Sequence, residues 1–293
     1  MKNPRDRFLM VAARLGGVVA LTVLISGCAS LVARVQPVPP EVALEEVRLI
    51  GLDFSRVDLE ADISVDNPNQ VAVVLNRFSW ILEIEGEPLL SGEQEDGLRI
   101  DAGGRSRLLV PFTFAFEEAL RTADAAWGAR ELDYAVRVTT YLDVPVLGEM
   151  EVPLRQEGTV PVPRLPRAAV RSVHLESMGL TGAEMVLTFA VENPNVFDLT
   201  LERFAWSFFV RERAWAEGRT VSRTIAAGET SEVEAAFSVR FLEVGRGIVQ
   251  LLTGGLDLDY SLVIDARVQP VHPLIPSVGF SPTIAGTVPV ERR

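Results

Sequence analysis

The sequence predicts a mainly all-β protein that contains two tandem β-sandwiches, each with one short helix. Three observations predict this fold class. The chain carries an internal repeat, apolar and polar residues alternate along several segments of each copy, and glycines separate those segments. In each copy, one segment departs from the alternation and takes the spacing of an amphipathic helix.

The internal repeat consists of four motifs that recur in the same order. The first three pairs are separated by 126 residues and the fourth by 128, so only small loop insertions distinguish the copies. The pairs are Val65-Asp66-Asn67-Pro68-Asn69 with Val191-Glu192-Asn193-Pro194-Asn195, Arg77-Phe78-Ser79-Trp80 with Arg203-Phe204-Ala205-Trp206, Leu132-Asp133-Tyr134 with Leu258-Asp259-Tyr260, and Gly158-Thr159-Val160-Pro161-Val162 with Gly286-Thr287-Val288-Pro289-Val290.

The strands and helices follow from local periodicity. A strand with one buried face is predicted where apolar side chains alternate with polar ones that we expect to face solvent. The clearest case is Val57, Leu59, Ala61, Ile63 and Val65, interleaved with Asp58, Glu60, Asp62, Ser64 and Asp66. Phe116, Leu120, Ala123 and Trp127 fall at near-helical spacing, and residues 242–252 form the matching segment, with Leu242 on its apolar face.

The N-terminus is typical of a targeting segment. Basic residues precede an apolar stretch, 15–25, which is too short to span about 30 Å of hydrocarbon as a helix. The run Ile25-Ser26-Gly27-Cys28 resembles the lipobox of bacterial lipoproteins, which implies that Cys28 is lipidated and becomes the mature N-terminus. Cys28 is the only cysteine, and a lipidated thiol needs no disulfide partner. An ordinary signal peptide with an incidental cysteine, or an uncleaved anchor, is the alternative.

Two proline clusters divide the remainder of the chain. The first, at 37–40, is expected to be a stiff stalk, and the second, at 161–166, a linker that fixes the spacing between the repeats. We therefore predict a signal peptide (1–27), a lipidated proline-rich stalk (28–43), a first domain (44–162), a linker (163–167) and a second domain (168–290).

The charge of the chain limits its partners. Removal of residues 1–27 takes away a net charge of about +3, so the formal charge changes from −12 to about −15. Such acidity argues against nucleic acid and against anionic lipid headgroups as partners. We expect acyl chains to hold the protein at the membrane. Ala29 stands where an aspartate usually retains bacterial lipoproteins in the inner membrane, so we expect the outer membrane, facing the periplasm.

The Asn-Pro-Asn triplets, Asn67-Pro68-Asn69 and Asn193-Pro194-Asn195, each follow an alternating strand. Proline fixes φ near −65°, while the asparagines can bond their own backbone or adopt a left-handed conformation, so we interpret the triplet as a structural turn. With the Arg-Phe-x-Trp strand and the Ala-Gly turn that follow, each copy resembles the WHy (water stress and hypersensitive response) domain, also called the type 2 late embryogenesis abundant domain.

This resemblance covers both copies. It implies an immunoglobulin-like sandwich with a helix, related in shape to fibronectin type III, and a part in desiccation or stress tolerance. The second copy departs from the pattern at Arg211-Glu212-Arg213, where the first has Glu85-Gly86-Glu87, so we expect the two hairpins to differ.

The sequence offers no recognisable catalytic centre, metal site or cofactor site, and we predict that the protein is not an enzyme. His174 and His272 have no neighbouring cysteine or second histidine to complete a zinc site. A nucleophile elbow, a phosphate-binding loop and a dinucleotide fingerprint are all missing from the sequence. The acidic residues Glu93, Glu95, Asp96 and Asp101 lack EF-hand spacing, and we interpret them as a solvated loop, with weak calcium binding as the alternative.

Phe78, Trp80, Phe204 and Trp206 are the candidates for an apolar ligand cleft. Their inward positions in the strands also suit core packing, which is the competing interpretation. Three functions remain open: protection under dehydration, binding of a lipid or other apolar ligand, and scaffolding of an envelope complex through exposed strand edges.

Overall fold

The structure is a computed structural model, and it describes residues 37–95, 97–244 and 257–292. The predicted signal peptide, Cys28 and Asp96 lie outside the described residues, as does the part of the predicted second helix beyond Val244. Within the described ranges, no helix is long and apolar enough to cross a membrane.

The first repeat forms two sheets in which every pairing is antiparallel. One sheet has three strands in the order first, second, sixth; the other has the order fourth, third, seventh, eighth, with the fifth beside the third. The strands are β1 (Glu41–Leu52), β2 (Arg56–Asp66), β3 (Val73–Ile84), β4 (Glu87–Gln94), β5 (Leu98–Ile100), β6 (Arg105–Ala115), β7 (Glu131–Val144) and β8 (Gly148–Pro161).

The second repeat builds the same two sheets from ten strands instead of eight, because the counterpart of β8 is divided in two and one further strand is added. The strands are β9 (Arg167–Met178), β10 (Gly182–Glu192), β11 (Leu199–Val210), β12 (Arg213–Thr220), β13 (Arg223–Ile225), β14 (Thr230–Arg240), β15 (Leu258–Pro270), β16 (Val278–Phe280), β17 (Thr283–Val288) and β18 (Val290–Arg292). One sheet has the order β14-β10-β9-β18, and the other β12-β11-β15-β16, with β13 beside β11 and β17 beside β15. The added strand, β18, is parallel to β9.

The core of each sandwich lies between its two sheets. Val57, Leu59, Ala61, Ile63 and Val65 of β2 are all buried, and so are their counterparts on β10. Alternation in the sequence therefore becomes one buried face per strand, as a half-buried sheet requires. The predicted fold class, two tandem β-sandwiches, is confirmed.

One carboxylate that we expected to face solvent is buried instead. Asp62 occupies an outward position of β2, but it is only 3% exposed. Arg107 Nη2 donates to its Oδ2 at 2.7 Å, while Oδ1 has no partner among the described residues. Alternation identifies the outward face but not the long side chains that cover the middle of a central strand.

Strands β1 and β9, which are equivalent strands of the two smaller sheets, are bulged at equivalent positions. The register of β1 against β2 skips Glu45 and Ile50, and the register of β9 against β10 skips Arg171 and Glu176. The bulges are therefore repeated features of the fold, and they bend and twist the strand that carries them.

The first helix is shorter than the sequence predicts, and the second is described over four residues only. Helix α1 (Phe116–Thr122) buries Phe116 and Ala119 and carries two acidic residues in its first turn, as the helix dipole favours. Trp127, which we placed on the apolar face, lies beyond the helix and is 70% exposed. Helix α2 is described over Phe241–Val244, and Leu242 is exposed there, contrary to expectation.

The two hairpin turns that differ in sequence have the same conformation, which corrects our expectation. Glu85 and Gly86 both have positive φ, and so do Arg211 and Glu212. A two-residue hairpin with this geometry matches the twist of its strands, and the second copy adopts it without glycine.

Strands β1 and β9 begin at Glu41 and Arg167, inside the predicted stalk and linker. The domain limits remain predictions.

Candidate functional site

Asn67 lies at the end of β2 and is fully buried. Its Nδ2 donates to the backbone oxygens of Val71 (2.9 Å), Ile100 (3.3 Å) and Asp101 (2.9 Å). Its Oδ1 accepts hydrogen bonds from the backbone N–H and from Nδ2 of Asn69, both at 3.1 Å. One side chain therefore joins three separate stretches of backbone.

Asn69 extends this arrangement to the chain that precedes the sandwich. Its Oδ1 accepts from the backbone N–H of Val38 at 2.8 Å, and its Nδ2 donates to the Val38 oxygen at 2.8 Å. The backbone N–H of Gly103 also donates to the backbone carbonyl oxygen of Asn69. We call Asn67 and Asn69 the asparagine brace of the first sandwich.

The second sandwich has the same brace, formed by Asn193 and Asn195. Nδ2 of Asn193 donates to the oxygens of Phe197, Ile225 and Ala226 at 2.8, 3.1 and 3.1 Å. Asn195 exchanges two bonds with the backbone of Arg164, at 2.6 and 2.8 Å, as Asn69 does with Val38. Arg164 lies in the predicted linker, so each brace holds the segment that enters its own sandwich.

The brace is more than the local turn that the sequence suggests. Asn69 N–H to Asn67 Oδ1 is the local bond of such a turn, but the contacts to Val38 and Ile100 span more than thirty residues. None of the four asparagines has positive φ. Because all four are buried and their amides are bonded to protein groups, the motif satisfies polar groups that water would otherwise have to satisfy.

The other repeated motifs place aromatic rings over glycines on the neighbouring strand. Trp80 pairs with Gly92, and Trp206 with Gly218. A Cβ built on either glycine would lie 2.5 or 2.6 Å from the tryptophan ring. Tyr134 over Gly158 and Tyr260 over Gly286 repeat the arrangement, with Cβ distances of 2.5 and 3.1 Å. The sequence alone did not reveal these pairs, although Gly158 and Gly286 begin a repeated motif and were a signal.

Three of the four aromatic candidates for a ligand cleft contact core rings. Trp80 packs edge-to-face on Phe112 at 4.9 Å between centroids. Phe204 and Trp206 come together around Phe189, at 5.7 and 6.0 Å. Phe78, Phe204 and Trp206 are buried, and Trp80 is half-buried. These positions agree with core packing.

Among the ionisable groups, Glu83 is buried between two arginines. Arg137 Nη2 donates to its Oε1, and Arg155 Nη1 donates to its Oε2 at 3.2 Å. An opening of about 410 Å³ beside the cluster is lined in part by Tyr134 and Arg155. Burial raises the pKa of Tyr134 above its usual value. Arg155 also contacts Glu157 at 2.7 Å, so the formal charges of these two carboxylates and two arginines cancel.

The two histidines lie in different surroundings. His272 packs against Phe197 at 5.8 Å, and its Nδ1 accepts from the backbone N–H of Leu274 at 3.3 Å. Burial lowers the pKa of His272. His174 Nδ1 lies 3.5 Å from a carboxylate oxygen of Glu291 on β18. Within the described ranges, no cluster of three or more histidine, cysteine or acidic side chains is placed to hold a metal ion.

The acidic loop is partly engaged by arginines. Glu93 accepts from Arg77 at 3.1 Å, and Asp101 accepts from Arg99 at 3.4 Å. Glu95 is exposed, whereas Asp96 lies outside the described residues.

Comparisons with known proteins agree with the internal repeat. A family model described as "Late embryogenesis abundant protein" matches residues 62–158 and 188–281, which together exceed half of the chain. A desiccation-related protein of Arabidopsis thaliana is 26% identical over 43% of this chain and 76% of its own length. A desiccation protectant of Glycine max, a Lea14 homolog, is 25% identical over 43% of this chain and 83% of its own.

Solved structures with similar folds include a late embryogenesis abundant protein determined in solution and a protein from Archaeoglobus fulgidus. The first is 23% identical over 53% of this chain and 89% of that chain, with a TM-score of 0.36. The second is 12% identical over 44% of this chain and 100% of that chain, with a TM-score of 0.31.

Proposed function

The chain belongs to the late embryogenesis abundant protein family, and on this premise we propose that it is a non-catalytic, membrane-anchored envelope lipoprotein. In this proposal its two WHy-like sandwiches protect the cell under desiccation or osmotic stress. The observation that carries the proposal is the family match in both repeats, each with a complete asparagine brace. Relatives from plants carry names that refer to desiccation.

The brace gives the protective role a physical basis. A turn whose backbone groups are bonded to water loses those partners when water is removed, and an unpaired polar group costs about 1–3 kcal/mol. In both sandwiches the turn is bonded to buried amides instead. We infer that the fold keeps its shape at low water activity, as a protein that acts during drying must.

The brace also bears on the proposed anchor. Asn69 fixes Val38 to the first sandwich, and Val38 lies only ten positions after Cys28 in the sequence. Fully extended chain covers at most about 3.6 Å per residue. A lipid on Cys28 would therefore keep the Asn-Pro-Asn end of the first sandwich within about 35 Å of the membrane surface.

The proposed role is tested by deleting the gene and measuring survival after drying and after hyperosmotic shock. We expect reduced survival, restored by the full-length gene but not by a variant with both Asn67→Ala and Asn193→Ala. Unchanged survival of the deletion strain under both stresses would overturn the protective role.

The anchor is tested separately by labelling with radioactive palmitate. We expect label in the wild-type protein and none in Cys28→Ser, which should fractionate away from the outer membrane. Ala29→Asp serves as a sorting variant, because it should keep the label but move the protein toward the inner membrane. Label in Cys28→Ser, or none in the wild type, would contradict lipidation at this residue.

Binding of a lipid or another apolar ligand is the alternative function. Three of the four aromatic candidates contact the core rings of Phe112 and Phe189, so a ligand would have to displace existing contacts. For this reason we favour the protective role over ligand binding. Lipid that co-purifies with the protein and is detected by native mass spectrometry would favour ligand binding over the protective role.

A further inference from the structure

The outer face of the larger sheet in the second sandwich carries three exposed arginines, Arg203, Arg219 and Arg267. Arg219 lies opposite Ala205 across β12 and β11, and Ala205 lies opposite Asp265 across β11 and β15. Arg267 follows two residues after Asp265, on the same face of the strand. We call these three residues the arginine face.

The first sandwich places different residues at the equivalent positions. Arg77 corresponds to Arg203, but Glu93 stands in place of Arg219 and Tyr141 in place of Arg267. Arg77 Nη1 donates to Glu93 at 3.1 Å, and its guanidinium lies 3.6 Å from the centre of the Tyr141 ring. The first sandwich thus neutralises its arginine with its own side chains.

In the second sandwich, Arg203 has no counterpart of the Glu93 and Tyr141 side chains that contact Arg77. Over the described part of the chain, the guanidinium groups of Arg203, Arg219 and Arg267 form no hydrogen bond and no ion pair within the protein. Asp265, the nearest carboxylate along the strand, accepts from Ser281 Oγ at 3.1 Å instead. Three unpaired arginines are unusual on a chain whose net charge is −12, because acidic residues are available to pair with them.

The backbone of the arginine face is strained at Arg203. Arg203 has φ of 48°, and it lies in a bulge between Glu202 and Ala205 in the register of β11 against β15. Arg77 in the first sandwich does not have positive φ. A non-glycine residue in this region costs about 1 kcal/mol or more and tends to occur at functional sites.

The face also has room for a ligand. An opening of about 450 Å³ is lined by Arg203, Phe204, Ala205, Arg219 and Asp265. Ala205 at its floor projects only a methyl group between two charged neighbours. Arg219 and Asp265 are two strand spacings apart, which is about 9.6 Å, so the floor between them is wide enough for a tetrahedral anion.

The net charge of the chain disfavours anionic partners over most of its surface, but from these local observations we propose that the arginine face is a binding site for a phosphate group, either free or at the head of a lipid. Guanidinium groups bind phosphate through pairs of parallel hydrogen bonds and are weakly hydrated, so they suit an exposed phosphate site. The site goes beyond the proposed protective role and does not depend on it. The residues that line the opening include two arginines and one aspartate, which gives a formal charge of +1, and a phosphate brings the opposite sign.

The test uses the detergent-solubilised full-length chain and two probes, inorganic phosphate and dihexanoyl phosphatidic acid, titrated by calorimetry. We expect saturable binding to the wild type that weakens as salt rises. Arg219→Glu and Arg267→Tyr introduce the residues of the first sandwich, so the same fold accommodates them. Each should weaken binding at least tenfold.

Arg171→Glu is the matched control, because it makes the same charge change on the opposite sheet of the same sandwich. Its affinity should stay within about twofold of the wild type, since the two sites are separated by more than a Debye length of about 8 Å. Tighter binding of phosphatidic acid than of phosphate would assign the site to a lipid headgroup, and equal affinity would assign it to free phosphate.

Two results would overturn the site. One is the absence of saturable binding of either probe by a wild-type protein whose thermal unfolding shows that it is folded. The other is an equal loss of affinity in Arg219→Glu and Arg171→Glu, which would show an effect of net charge alone.

Discussion

The two sandwiches share their braces but close their smaller sheets in different ways. In the second, β18 lies beside β9 and pairs Val290 with Val173. In the first, β1 is the outermost strand of its sheet in the described part of the chain. There the carbonyl oxygen of Val47, the counterpart of Val173, accepts a hydrogen bond from Tyr134 Oη at 3.4 Å.

The cause lies in a few residues after the repeated Gly-Thr-Val-Pro-Val motif. In the second copy Glu291 follows it and continues as a strand, whereas in the first copy Pro163 stands there and has no N–H to donate. The chain instead turns into the linker, where Val162 N–H donates to the Arg130 oxygen at 2.9 Å. One motif thus has two outcomes, because the residue after it decides whether an edge strand can form.

The largest effect should come from removing a brace. Asn67→Ala in the first sandwich, or Asn193→Ala in the second, leaves buried carbonyl and N–H groups without partners. We expect each to lower the free energy of unfolding by about 3 kcal/mol and the melting temperature of its own sandwich by about 10 °C. Calorimetry and hydrogen exchange of β3 against β11 would show which sandwich is affected. Asn76→Ala is the control, and an equal effect there would contradict the role of the brace.

A smaller effect of equal size in both sandwiches is expected at the glycines below the tryptophans. In Gly92→Ala and Gly218→Ala, the new Cβ meets the ring of Trp80 or Trp206 at 2.5 or 2.6 Å. Overpacking of this kind costs about 1–3 kcal/mol. Gly279→Ala is the matched control, because no atom lies within 4 Å of its Cβ. In denaturant unfolding, both variants should have a lower free energy of unfolding than Gly279→Ala. An unchanged free energy of unfolding in Gly92→Ala would show that the Trp80 ring moves away without cost.

These two predictions mark how far the sequence leads. Alternation on β2 and the 126-residue repeat predicted the sandwiches, since burial of one face is a local property of a strand. The partners of Asn69 and Trp80 could not be predicted, because each lies on a segment distant in sequence. Trp127 was misplaced for a related reason: helical spacing continued past the point where α1 ends.

The candidate site shows the same limit. The sequence identified the Asn-Pro-Asn motif but described it as a local turn, since its contacts to Val38 and Arg164 depend on tertiary structure. The arginine face escaped notice for another reason. Its residues are unremarkable one by one, and only the register of β11 against β12 and β15 shows that Arg219 and Arg267 replace the partners of Arg77.

The different closure of the two sheets leads to a third prediction, of smaller size. Tyr134→Phe removes the hydroxyl that donates to Val47, so the first sandwich should lose up to about 1 kcal/mol. Tyr260→Phe in the second should change the free energy of unfolding by less than about 0.3 kcal/mol, because β18 already pairs there. Hydrogen exchange along β1 should be faster in Tyr134→Phe alone. Equal losses in the two variants would indicate that the hydroxyl has no special role at the β1 edge.

The smallest expected effect is a dependence on pH that only the second sandwich shows. Burial lowers the pKa of His272 below its ordinary value, whereas Val146 occupies the equivalent position in the first sandwich. The folded state therefore binds fewer protons than the unfolded state, and stability present above about pH 6.5 is lost as the pH falls through the lower folded pKa. Protonation of Nδ1 would also end its bond from the Leu274 N–H. Because the ring is half-buried, we expect the melting temperature of the second sandwich to fall by about 1–3 °C between pH 7.5 and 5.0, relative to the first. His272→Leu should abolish that difference, and its persistence in the variant would assign the pH dependence to other groups.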